Sequence, residues 1–286
     1  MAVGRVTEIW RYPVKSMGGE QLSRCTIGER GIPGDRGWAV RDEAAGEIRG
    51  AKKLPALLLL SARYVEEPAS DRIPPAEIVF PDGARVRTDA PEAAPRLTTL
   101  LGRRVTLWPL RPPDDRAHYR RGLPDNPDLE SELREVFGRL PDEPLPDLSV
   151  FSQELFEYTS PPGTYFDALP LHLLTTASLR ALERANAASR FDRRRFRPNF
   201  LIEPEGGAEG LVENEWCGTM LRVGGATVKV EMGTPRCSMT TQPQGDLAKD
   251  PGVLRTVVRH AAQNVGVYAN VVTAGRVAVG DAVERA

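Results

Sequence analysis

The sequence predicts a mainly β, α+β protein of about two domains, and three observations predict it. Twenty-six glycines and 25 prolines punctuate 286 residues, which favours many short strands joined by turns. Helical periodicity is confined to three stretches. The length fits about two domains at ~150 residues each.

In chain order, an early strand ends at Tyr12-Pro-Val-Lys-Ser16. Leu22-Ser-Arg-Cys-Thr-Ile27 is strand-like, and Gly28 to Arg36 is a Gly/Pro-rich loop. Ala76–Phe80 and Arg85–Thr88 flank Pro81-Asp82-Gly83, and Met220–Val223 and Ala226–Val230 flank Gly224-Gly225. Both pairs read as hairpins, with glycine where a tight turn needs positive φ. Residues 112–170 hold ten prolines, and residues 141–160 carry five acids with no Lys or Arg. That composition predicts a loop-rich connection between an N-terminal and a C-terminal part. Leu133, Val136, Phe137 and Leu140 predict a helix over 129–140. Thr/Ser caps with Leu179 and Leu182 predict one over 176–188. Leu254, Val257, Val258 and Ala261 share the apolar face of a third over 251–264. The C-terminus, Val271 to Val283, returns to strand pattern.

Charge and composition exclude several roles. The formal net charge is −1, so no global field attracts nucleic acid or an anionic membrane. The longest apolar run, Leu54 to Ala62, is far shorter than the ~20 residues a bilayer-spanning helix needs. The first residues lack an apolar signal-peptide core, and a cytoplasmic protein is expected. Three scattered cysteines without a CxxC pair argue against a disulfide framework or a cysteine-rich zinc site. No Walker loop, GxGxxG or GxSxG stands in the required context.

Chemistry therefore falls to a few positions. Cys25 and Cys217 read as small core hydrophobes. Cys237 lies in Gly233-Thr-Pro-Arg-Cys-Ser-Met-Thr-Thr241 beside Arg236, an irregular segment after a strand ending near Val230. A neighbouring guanidinium favours the thiolate, the form that ligates metals or attacks; an inert loop cysteine is the equal alternative. Seven arginines lie between Arg180 and Phe200. Arg180, Arg184 and Arg190 fit a solvated face. Arg197, in Phe196-Arg-Pro-Asn-Phe200 just before an apolar strand, is placed with Asn199 to face a site, and guanidinium geometry suits oxyanions. Lys15, Ser16 and Arg36 can converge on one anion if their segments are neighbours.

Together, Tyr12-Pro-Val-Lys-Ser16, Gly34-Asp-Arg36, Phe196-Arg-Pro-Asn199 and Pro235-Arg-Cys237 with Thr240-Thr241 resemble, in that order, the MOSC-domain proteins that carry an N-terminal β-barrel partner, the family of the amidoxime-reducing component and its bacterial relatives. The resemblance runs from about Val3 to Val283. It implies an N-terminal β-barrel-like domain over residues 1–124, a C-terminal MOSC β-barrel with a few helices over 125–286, and a molybdenum–molybdopterin cofactor between them. Carried over, Cys237 matches the thiolate ligand to molybdenum. Lys15, Ser16 and Arg36 match positions near the pterin's terminal phosphate. Arg197, Asn199 and Arg236 match positions lining the pterin, with Pro235 in the same motif. Asp167-Ala-Leu-Pro170 stands where reductase-like members have Thr-Ser after the Asp, so a hydroxyl contact is lost there. The implied activity is oxygen-atom removal from small N-hydroxylated compounds, with electrons from a separate ferredoxin, cytochrome or flavin reductase type of donor. The alternative from another class is a non-catalytic carrier of persulfide sulfur or of the cofactor. Neither nucleic acid nor membrane is an expected partner.

Overall fold

The computed structural model describes residues 1–149 and 151–286. Its C-terminal half is a closed seven-stranded barrel, and the chain's first strand is one of its staves. Around the barrel run Ala2–Arg11, Phe200–Pro204, Leu171–Thr175, Asn264–Thr273, Ala226–Pro235, Met220–Val223 and Ala282–Arg285, which returns to Ala2–Arg11. All pairs are antiparallel except Leu171–Thr175 with Phe200–Pro204. That parallel pair needs a crossover connection, supplied by helix Thr176–Ala185 and the arginine-rich segment. Alternation along the strands sends Val6, Ile9, Leu221, Val228, Val230, Val267 and Val283 inward. Each such side chain contributes about 1.5–3 kcal/mol when fully buried.

The N-terminal part has its own core. Trp38–Asp42 pairs with Glu47–Ile48 and Val105–Pro109, and Ser61–Tyr64, Ala76–Val79 and Arg85–Arg87 form a second three-stranded sheet. Residues 14–18 bridge the two sheets, through Val14 to Trp38 and Gly18 to Ser61. Lys15 and Ser16 therefore sit on backbone fixed from both sides.

The two expected hairpins are present, and the expected helices are shorter than their patterns. Leu129–Phe137 stops where Gly138 turns left-handed at φ 62°. Thr176–Ala185 begins at a Thr175 cap, and Pro251–His260 at an Asp250 cap. Helix Ala93–Leu101, closed by a left-handed Gly102, is an element the periodicity did not reveal. The acidic connection is tied to the N-terminal sheets: Arg49 donates to Glu47 and Asp125, and Tyr119, Tyr158 and Tyr165 pack on Ala39 and Ile48. No helix among the described residues is long and apolar enough to cross a membrane.

Candidate functional site

A cavity opens between the two halves. It leaves about 50 Å³ of room for water-sized molecules. Lys15, Ser16 and Arg36 line it from the N-terminal side, Asp167 and Leu169 from the connection, and His172, Arg197, Asn199, Arg236 and Tyr268 from the barrel. Six of the eight residues singled out in the sequence thus face one space. Four of its walls are cationic and one is a carboxylate.

Local backbone explains the convergence. Just past strand Ala2–Arg11, the carbonyl of Tyr12 accepts from Arg36 N at 2.6 Å, and the Tyr12 N–H donates to Asp35 Oδ1 at 2.8 Å. Among the described residues, five non-glycines adopt positive φ: Ser16, Arg36, Arg197, Ala262 and Gln263. Three of these line the cavity. Such conformations cost of order 1–3 kcal/mol each and cluster at functional sites.

The charges are organised unequally. Asp35, wholly buried, accepts from Arg36 and from Asn199 Nδ2 at 2.9 Å. Burial works against the Arg36 charge, yet the Asp35 carboxylate outweighs it and holds the guanidinium above its ordinary value. Arg197 lacks such a partner. Burial lowers it to about 10, and the like charge of Arg36 adds to that. Its Nη2 is buried without any hydrogen-bond partner among the described residues, although an unpaired buried donor costs ~1–3 kcal/mol or more. Lys15 donates to the Tyr165 carbonyl and to Asp167, both at 2.7 Å. Burial lowers the lysine, whereas Lys15, Lys52 and Arg36 hold the Asp167 carboxyl, 44% exposed, well below the usual range.

Other predicted residues serve as scaffold within the wall. Asn199 Oδ1 accepts from His172 N at 3.1 Å while its amide reaches Asp35 and the Trp10 carbonyl. Arg236 donates to the carbonyls of Val265 and Phe196 and to His172 Nε2 at 2.6 Å. Burial, reinforced by Arg236, pushes His172 well below its ordinary pKa, so the ring is neutral. Gly266, at φ 75°, is obligatory here, because an added Cβ would lie 2.2 Å from His172 Nε2.

Pro235 and Cys237 do not line the cavity. The strand extends to Pro235 rather than ending near Val230, and Cys237, 7% exposed, opens a 3-10 turn over Ser238–Thr241. The Arg236 side chain turns to His172, so sequence adjacency alone does not describe the thiol's surroundings. Lys52, Arg139 and Arg236 are all within Coulombic reach of Cys237. Its backbone is clamped: Arg139 Nη2 donates to the Arg236 carbonyl at 2.9 Å, and Arg195 donates to the carbonyls of Thr240, Gln242 and Ala248. Cys25 is half-buried against the barrel core. Cys217, expected in the core, is exposed. It follows buried Trp216 at the end of a short 3-10 turn, where Gly218 swings the chain outward.

Sequence reasoning passed over Asp167 as a partner of Lys15, and also His172, Tyr268 and Arg195. His172 carried a signal, since it stands among the leucines of strand Leu171–Thr175. The Asp167–Pro170 departure has a structural counterpart: Ala168 is buried and Leu169 gives the cavity an apolar wall.

A junctional cavity behind a barrel closed by the N-terminal strand defines a class. Residues 3–92 match the MOSC N-terminal beta barrel domain and residues 161–284 the MOSC domain, so the chain is a two-domain MOSC protein. It is similar to mitochondrial amidoxime reducing component 2 of Homo sapiens, 26% identical over 248 residues, covering 84% of this chain and 67% of that protein. Among solved structures, the YUAD protein from Bacillus subtilis aligns over 98% of this chain and 94% of its own at 11% identity and TM-score 0.43. YiiM from Geobacillus stearothermophilus aligns over 41% and 54%, at 18% identity and TM-score 0.32.

Proposed function

We propose that the protein is a cytoplasmic molybdenum–pterin oxidoreductase that removes the oxygen atom from small N-hydroxylated compounds, re-reduced by a separate electron-donor protein. One observation carries the reading: the partnerless Arg197 Nη2, buried beside Arg36 in an electropositive junctional cavity. A buried guanidinium donor without an acceptor fits an anionic group that belongs there. The MOSC match and the likeness to the amidoxime reducing component support the same reading.

In this assignment Lys15, Ser16 and Arg36 hold a terminal phosphate, with Arg197 supplying its free donor. Asn199 and Arg236, already engaged by the scaffold, shape the pterin wall rather than pair with the ligand. Cys237, flanked by the wall residues Arg236 and Met239 but not itself on the wall, would give the thiolate, a soft ligand suited to the metal. When bound, the group supplies two-electron oxygen-atom chemistry, which is the cofactor's own. The protein fixes charge and geometry around it. His172 stays neutral, and Tyr268, raised to about 12 by burial, keeps its proton at neutral pH.

The test is metal analysis of purified protein with fluorescence of its oxidised pterin. Stoichiometric molybdenum with pterin supports the reading. Metal-free protein bearing cyanolysable sulfur overturns it in favour of the carrier.

A further inference from the structure

We infer that Tyr12 is the positioning residue of the anion end, setting the spacing and direction of Arg36 and Arg197. The inference rests on the anion site proposed above. Tyr12 is buried at 3% exposure and touches both arginine segments with every group it has. Its N–H holds Asp35, its carbonyl accepts from Arg36 N, and its hydroxyl donates to the Pro198 carbonyl at 3.0 Å, one residue beyond Arg197. The Arg36 guanidinium carbon lies 4.5 Å from the ring centroid and that of Arg197 lies 4.2 Å from it.

Two like charges gathered at one ring repel, and both residues are held at positive φ. Asp35 neutralises Arg36 directly but makes no hydrogen bond to Arg197. What attracts Arg197 where it stands is the negative face of the Tyr12 ring, an electrostatic contact that strengthens on desolvation. The ring leaves the edge of the guanidinium unoccupied, because a cation–π contact uses the face. That accounts for the partnerless Nη2: the ring holds the charge while the donor stays available. Replacing the ring by an aliphatic side chain keeps apolar bulk but removes the attraction, so the repelled guanidinium loses its fixed direction.

The experiment titrates inorganic phosphate into the full-length protein, made in a host that cannot synthesise molybdopterin, by calorimetry at low ionic strength. Tyr12→Phe should bind within about twofold of wild type. Tyr12→Leu should bind at least fivefold more weakly. Should Tyr12→Leu fail to fold, phenylalanines of increasing fluorination at position 12 keep the ring's shape while draining its negative face. Affinity should then fall stepwise with fluorination. Equal affinity across the fluorinated series, or loss in Tyr12→Phe as large as in Tyr12→Leu, overturns the inference. Arg36→Ala and Arg197→Ala separate the two levels: if wild type binds no phosphate, or these variants bind it as tightly as wild type, the anion reading itself falls. If wild type binds, both variants bind more weakly and the position-12 series is flat, only the role of Tyr12 falls.

Discussion

Replacing Arg195 with methionine should destabilise the segment that follows Cys237 more than any other change in the arginine cluster. Arg195 is 2% exposed. Its guanidinium donates to Arg190 O at 3.1 Å, Thr240 O at 3.1 Å, Gln242 O at 3.3 Å and Ala248 O at 2.8 Å. Methionine fills most of the volume and satisfies none of these acceptors. At about 1 kcal/mol for each lost contact the gross loss is about 4 kcal/mol. Relief from burying a charge whose pKa burial itself depresses reduces that, leaving a net of about 2–4 kcal/mol. Urea denaturation measures the loss as a lower midpoint at unchanged slope. Hydrogen exchange should accelerate at 238–248 before the barrel strands. A loss below about 1 kcal/mol, or exchange that rises uniformly across the chain, would refute the clamp.

Three further outcomes are expected. Lys15→Ala and Arg36→Ala should each lower molybdenum retention after dialysis about 10-fold or more, since a charge-assisted contact contributes about 1.5–3 kcal/mol; unchanged occupancy in both would place the phosphate elsewhere. Cys237→Ala should abolish molybdenum retention and amidoxime reduction while Cys25→Ala and Cys217→Ala keep both, and iodoacetamide should label Cys217 first, because it alone is exposed. The third concerns pH. Burial keeps His172 neutral in the fold, whereas the unfolded imidazole takes a proton below about pH 6.5. The unfolded state then binds more protons, so stability should fall as pH drops below that value, by at most about 1.4 kcal/mol per unit. His172→Asn should flatten this limb of a pH series of urea midpoints. An unchanged limb would assign it to other groups, His118 among them, whose pKa burial also lowers.

Much of the fold was legible because strand alternation and turn chemistry are local. The Gly83 and Gly224 turns fix their hairpins without help from the rest of the chain. Helix ends were less legible, since Gly138 halts a helix whose apolar spacing continues to Leu140. Six of the site positions could be named because Lys, Ser, Arg and Asn beside strands and in the Gly/Pro-rich loop carry their chemistry with them. What joins them was invisible. The Asp167–Lys15 pair and the Arg195 carbonyl cage arise from tertiary contacts between segments far apart in sequence. The reading of Cys217 failed for the same reason: its neighbour Trp216 is buried, but the turn between them reverses which side faces water.

The pairing of the first strand with the last has a consequence for dissecting the molecule. Ala2 faces Glu284 and Gly4 faces Val283, while the other edge of Ala2–Arg11 closes on Phe200–Pro204. A fragment cut to the C-terminal match alone lacks this stave. It would expose two raw strand edges, the templates for intermolecular pairing and aggregation. The same seam joins residues some 280 apart in sequence, and such non-local pairing slows folding. Yet it brings the first and last strands side by side, so a circular permutant that links them and opens at an exposed loop tip would keep the barrel whole.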